Sequence, residues 1–518
     1  MLRFAYPLAL RFRSAPVNSP STSLATRVAR AFRLDERVTD AAGWAFNLAV
    51  FRIVYLTVGV LPLAIDTFQW TRHALPGLHP VLWEPVSFFR WLPLGVIADP
   101  GLGQALAAIL VGLVVLGALG VRTPLVLGLA TVVALYVLGL PQNLGKVHHH
   151  HNAVWFLAIL AASPSGAVLS VDAFVRRRRG EDDRAPAGAL AALRYVWALM
   201  AAIYLFPGLA KLVAAVMDGW ASAEHQRLVL WNKWWQLEWY GSTIVPLVRA
   251  DGLPDSILTA GALTVIVGEV GLGAAMMLRR TRPVALVLGL GFHLSTSLVL
   301  GIYFTWLTPA YVALVDWSWL VRRARGRGAL AAASDQGRAW SRRSLHAVGI
   351  ALLACEMLVS SIHFLTVIPH RFLPLRQRVM PLLTSPHVHL FVWPFDAYPF
   401  FTTDGPAAVS TIEFLVVAAD GEERRVAPAV FEAAVGRSSA SQVLTRRIAR
   451  LKDPVVQRTA SRHLADTLWR YVAPADRRDA QGLRVYVSRY RVAAPMPAPE
   501  ARTLLLDLPA SSLDTTRR

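Results

Sequence analysis

The sequence predicts an all-α polytopic membrane bundle of about nine transmembrane helices with a small extracytoplasmic C-terminal α+β domain. Three observations predict it. The chain of 518 residues is 55% hydrophobic and only 17% charged, where an ordinary soluble domain carries about 25% charge. Its mean hydropathy is +0.43. Apolar runs of about 20 residues, the length that crosses a hydrocarbon core, recur as far as residue 368 and are separated by arginine clusters. This pattern excludes a disordered chain and a simple soluble enzyme. A disulfide scaffold is excluded because Cys355 is the one cysteine.

Residues 1–40 form a basic N-terminal cytoplasmic segment, with no acidic residue before Asp35. Its composition suits a membrane-surface helix over 22–38 better than a transit peptide. The membrane domain follows over 41–368, with spans expected at 45–65, 105–121, 124–141, 152–170, 189–215, 255–278, 283–302, 303–321 and 346–368. Lys plus Arg number 53 against 33 Asp plus Glu, a net charge of +20. In so apolar a chain this charge reads as orientation rather than as nucleic-acid binding, and no nucleic acid is expected as a partner. With nine spans and the N-terminus inside, four clusters fall on one side, together with the turn at Arg122. They are Arg27 to Arg37, Arg176 to Arg179, Arg279 to Arg282, and Arg322 to Arg327. The C-terminus then lies outside a multi-pass cell (inner or plasma) membrane. The high Ala and Arg usage points to a bacterial source.

Two long loops, 66–104 and 216–254, hold Trp70, Trp83, Phe88, Phe89 and Trp91, and Trp220, Trp231, Trp234, Trp235 and Trp239. They suit an interfacial aromatic belt, or re-entrant walls of an apolar pocket open to the outside. Residues 369–404 read as a membrane-surface linker. In 405–493, alternation around Asp420-Gly421 predicts a hairpin, 428–472 has helical periodicity, and 482–493 alternates again. This is the α+β domain, a surface for an external protein or peptide. Residues 494–518 are expected to be a flexible tail.

Chemistry is sought among the ionisable residues within spans, because each costs at least ~2.5–3.5 kcal/mol at the bilayer centre. They are Arg52, Arg194, Lys211, Glu269, His293, Asp316, Glu356 and His363. Asp316 is the expected partner of Arg52 or Arg194. Lys211 follows Pro207-Gly208, a pair expected to break or kink its helix and open a cavity. A lysine in such a cavity can act as a base near neutral pH. The histidines His148 to His151 lack acidic neighbours, so no metal site is expected.

The order of these features resembles the HTTM (horizontally transferred transmembrane) family, which includes the vitamin K-dependent gamma-carboxylases. The likeness is carried by residues 45–60 with Arg52-Ile53, by His151-Asn152 with Trp155 and then Ser170-Val171-Asp172, and by Pro207-Gly208-Leu209-Ala210-Lys211-Leu212 with Asp218-Gly219-Trp220. Glu269 and Phe292-His293 with Gly301 to Phe304 complete it. The resemblance implies a quinol-type ligand, reduced vitamin K or menaquinol, held between helices and reached from the outer face. It implies catalytic roles for Lys211 as base, His151 and His293, with Glu269, Trp220 and Phe292 lining the quinol site. Ala210 stands where the carboxylases have the first lysine of a pair, and the tail is much smaller than theirs. Two readings follow: a non-catalytic membrane protein of this type, and an active quinol-dependent carboxylase or epoxidase-like lyase. A transporter would require an inverted repeat, which the sequence lacks.

Overall fold

A computed structural model describes residues 41–78, 80–83, 85, 87–144, 150–180, 188–240, 252–300, 302–325, 339–367, 408–435, 438–491 and 499–513. The N-terminal segment, the linker 369–404, His148 and His149 lie outside the described residues. Among those described, seven helices are long and apolar enough to cross a membrane.

The first span is α1 (Ala41–Val54), a π-helical turn (Tyr55–Val60) and α2 (Leu61–His73) end to end. Next come α3 (Pro100–Leu119) and α4 (Thr123–Val137). Asp99 caps α3 by accepting from the Leu102 N–H, with Pro100 at the first helical position. Gly120, at φ 73°, ends it in the left-handed conformation a glycine adopts without cost.

The segment 152–170 is not a spanning helix. It folds as the 12-residue α5 (His151–Ala162) followed by irregular backbone to Ser170, where α6 (Val171–Arg178) begins. Asp172 accepts from the N–H of Arg122 and from both N–H and Oγ of Thr123 at 2.7–2.8 Å. The chain from α5 to α6 thus runs from the C-terminal end of α4 back to its N-terminal end. Irregular backbone is tolerated in a membrane only where its polar groups find partners, and here Arg52 supplies them. Its guanidinium is fully buried and donates to the carbonyls of Ser165 and Leu169, each at 2.6 Å. Arg52 therefore pairs with backbone rather than with Asp316, which instead accepts from Asn47 Nδ2 at 3.1 Å and from Ser318 Oγ at 2.6 Å.

The longest helix is α7 (Ala189–Asp218), which runs unbroken through Pro207, so the expected break is absent. Then follow α8 (Ala223–Tyr240), α9 (Asp255–Met277) and α10 (Arg282–Leu300). The segment 303–321 is likewise not one helix. It forms a 3-10 stretch over Thr308–Leu314 and the short α11 (Trp317–Arg325). Its exposed carbonyls are again met by side chains. Trp197 Nε1 donates to Ala313 O at 2.8 Å, and Trp317 Nε1 to Val312 O at 3.0 Å. The last membrane helix is α12 (Ala339–Val367), where the buried Glu356 accepts from Ser360 at 2.9 Å.

The C-terminal part is the predicted α+β fold. Strands β1 (Ala408–Ala418), β2 (Glu423–Arg425), β3 (Ala480–Arg491) and β4 (Pro499–Pro509) form one antiparallel sheet in the order β2-β1-β3-β4. Gly421, at φ 84°, makes the predicted hairpin turn. Helices α13 (Pro428–Val435), α14 (Ser438–Ala449) and α15 (Pro454–Tyr471) pack on the face bearing Ile412, Phe414, Leu483 and Val485. The segment 494–518, expected to be loose, supplies β4. Its leucines Leu504, Leu506 and Leu508 pair with β3 and outweigh the flanking prolines.

The other sheet face is polar. Buried Glu413 meets Ser488, Arg502 at 3.0 Å and Arg425 at 3.1 Å. Beside it Glu423 accepts from Tyr486 at 2.7 Å and from Arg484 at 2.9 Å, and these bonds hold its carboxyl below the usual 4.5. A carboxylate lowered in the folded state stabilises above its unfolded pKa and loses that contribution as pH falls through the folded value. Glu423→Gln is therefore expected to flatten the decline in stability below pH 4.5, read by thermal unfolding on either side of it.

The sheet domain rests on the end of the bundle that carries the aromatic loop 74–92. Arg447 donates to Leu82 O at 2.6 Å, and one continuous apolar core runs from the bundle into the domain. Trp70, Trp83 and Phe89 are buried in that core rather than forming a belt, whereas Trp91 is 85% exposed.

Candidate functional site

The site is built on α7. Residues seven apart on a helix share a face, and Tyr204 and Lys211 stand in that relation, about 10 Å apart along the axis at 1.5 Å per residue. Between them Gly208 lets α9 approach closely: a Cβ there would lie 2.9 Å from Glu269 Cβ and from Val270. Gly273 repeats the device from the other side, against the backbone of Ala201 and Leu205. Small residues that bring two backbones together are the usual basis of helix association in lipid.

This close approach lets Lys211 reach its partner. Lys211 Nζ donates to both carboxylate oxygens of Glu269, at 2.5 and 2.7 Å, and both residues are buried. Trp220, held by its own N–H to Ala214 O, covers the pair with its ring centroid 6.0 Å from Nζ. Trp220 is buried with Ala214, Ala262 and Ile266, and its ring meets that of His225 at 6.0 Å.

Two turns away on the same face of α7 lies a second polar group. His293 of α10 shares a 2.6 Å hydrogen bond through Nε2 with the Tyr204 hydroxyl, and Tyr311 donates to that hydroxyl at 2.8 Å. With Tyr204 donating to Nε2, the proton of the neutral imidazole sits on Nδ1. That Nδ1 is buried and has no hydrogen-bond partner among the described residues. Gly289 makes room for Tyr311, since a Cβ there would stand 2.1 Å from its ring. Phe292 and Phe304 wall the imidazole, with centroids at 5.7 and 5.0 Å.

The predicted residues thus assort into two groups. Lys211, Glu269 and Trp220 come together, and so do His293 and Phe292. His151 begins α5, is buried, and packs on Trp155 at 4.7 Å. The contact from this helix toward His293 runs through its neighbour His150, which meets Trp306 at 4.7 Å, and then through Phe304. Among the described residues no three of His, Cys, Asp and Glu stand close enough to hold a metal ion.

Tyr204 and Tyr311 are the members of this candidate site that sequence reasoning missed. Tyr204 carried a signal, its seven-residue spacing from Lys211. Tyr311 carried little, because it lies in a segment read as an ordinary span.

No protein-family model, curated protein or solved structure matches this chain.

Proposed function

We propose that the chain is a multi-pass membrane protein of the HTTM type that binds an amphipathic quinol-type ligand between α7, α9 and α10. In this reading the N-terminus and the arginine clusters face the cytoplasm. The sheet domain then lies outside and docks an external protein or peptide. The observation that carries the reading is the polar face of α7, where a buried ion pair and a buried Tyr-Tyr-His chain lie two turns apart within apolar walls. Ionisable groups buried in an apolar bundle are by default a functional-site hypothesis.

The residues fit a quinol. Its ring needs apolar or aromatic walls, which Phe292, Phe304 and Tyr311 offer. Its oxygens need hydrogen-bond partners, and His293 Nδ1 is a buried ring nitrogen with no hydrogen-bond partner among the described residues. When bound, a quinol supplies ionisable hydroxyls and reducing equivalents. Lys211 Nζ donates to both oxygens of Glu269 and so ties α7 to α9, which supports a tethering role over that of a base. The geometry therefore favours ligand binding without proton abstraction by Lys211.

The second reading, an active carboxylase or epoxidase-like enzyme, rests on the same pair. Glu269 stands where it can take the ammonium proton and leave a neutral lysine. The test uses purified full-length protein in lipid nanodiscs with menaquinol or reduced vitamin K. Saturable binding that His293→Ala weakens at least tenfold is expected. Absence of binding to either quinol overturns the proposal. Oxygen-dependent quinol oxidation that Lys211→Ala abolishes selects the second reading.

A further inference from the structure

Beyond the ligand site, the opposite end of the bundle carries two short helices of one design. α6 reads Val171-Asp172-Ala173-Phe174-Val175-Arg176-Arg177-Arg178, and α11 reads Trp317-Ser318-Trp319-Leu320-Val321-Arg322-Arg323-Ala324-Arg325. Each is pinned to the bundle by an acidic residue at or just before its start. Asp172 holds the turn between α3 and α4, and Asp316 is bound by Asn47 of α1. Arg52, in the last turn of α1, reaches the backbone just ahead of α6, so both helices are tied to α1.

Each then presents an apolar surface to the outside. Phe174 is 54% exposed and Trp319 is 50% exposed, flanked by exposed Val171, Val175 and Leu320. Over each exposed ring lies an arginine from one turn further on. Arg178 Cζ is 4.5 Å from the Phe174 centroid, and Arg323 Cζ is 5.2 Å from that of Trp319. Among the described residues neither guanidinium donates a hydrogen bond or meets a carboxylate. Their neighbours are engaged within the protein: Arg176 donates to Gly166 O and Ala167 O, and Arg322 donates to Ser318 Oγ.

We propose that α6 and α11 form a binding surface for anionic phospholipid headgroups, with Arg178 and Arg323 as the phosphate-contacting residues. An exposed ring at the end of a membrane bundle sits in the headgroup region. A guanidinium stacked on that ring is held at the depth of the phosphates, with its planar fork of donors turned to a group of matching geometry. A zwitterionic headgroup brings its own ammonium to its phosphate, so the charge match selects an anionic lipid.

The test measures phosphatidylglycerol binding to full-length protein, by native mass spectrometry after reconstitution in equal parts phosphatidylcholine and phosphatidylglycerol. Wild type is expected to retain phosphatidylglycerol in preference to phosphatidylcholine. An arginine near an anionic surface contributes enough that Arg178→Gln or Arg323→Gln should each weaken this binding about fivefold, and the pair about 25-fold. Arg458→Gln, which removes the same charge from an exposed position on α15 at the other end, should leave it unchanged. Soluble glycerol phosphate should not displace the lipid. The proposal is overturned if wild type shows no preference, if Arg458→Gln is as damaging as the double variant, or if glycerol phosphate competes equally. None of these outcomes bears on the quinol reading, which rests on other residues.

Discussion

Lys211→Ala is expected to be among the most damaging single substitutions in the chain, destabilising the protein by about 3–5 kcal/mol. The substitution leaves the Glu269 carboxylate buried without its partner, at a point where Gly208 has already brought α7 and α9 into contact. The cost comes from that orphaned charge rather than from a large net value of the pair. The distinction can be measured. The double variant Lys211→Met with Glu269→Leu removes both charges and fills the space with apolar atoms. It should recover most of the loss in thermal unfolding in a defined lipid or detergent. If the double variant is as unstable as Lys211→Ala, the pair has a positive structural role that its burial does not explain. If the double variant is stable and also loses quinol binding, the ion pair is maintained for the ligand.

The second large effect is expected at Arg52. Arg52→Leu removes two charge-assisted bonds and leaves the buried carbonyl of Ser165 unsatisfied, at about 1–3 kcal/mol, with a smaller cost at the part-buried carbonyl of Leu169. Leu169 is also held at φ 49°, a conformation that non-glycine residues avoid and that persists only where the surroundings enforce it. Hydrogen exchange should therefore rise across 163–173 in the variant, well before global unfolding. Arg52→Lys should rescue poorly, because a single ammonium on a shorter stem does not reproduce a fork spanning two carbonyls. Full rescue by lysine would mean that charge alone, and not the pair of directed bonds, holds this segment.

These two residues also show what could be read from the sequence and what could not. Seven spans were legible because long apolar runs and helices coincide there. Segments 152–170 and 303–321 are also largely apolar, yet neither is one helix. Hydropathy reports how well a segment tolerates lipid or a protein core, and not whether its carbonyls are bonded internally. The missing information was the donor set: Arg52, Trp197 and Trp317 lie far along the chain or look like generic interfacial residues. Lys211, Glu269 and His293 were each visible as misplaced polar residues. The Lys211–Glu269 pair was not visible, because its members are 58 positions apart. The break expected at Pro207 is absent because a proline removes one bond from a helix whose other bonds and tertiary packing let it continue.

The contact between Arg447 and Leu82 joins residues 365 positions apart and belongs to a core shared by the sheet domain and the bundle. That connection sets an order on biogenesis. The aromatic loop 74–92 is synthesised well before the surface that covers it, which carries Arg447, 365 positions after Leu82. Until then an apolar patch stays open to solvent, lipid or quality-control factors, and long-range closure of this kind is slow. A truncation before residue 408 would accordingly yield a bundle with one end permanently unsealed rather than a minimal membrane domain.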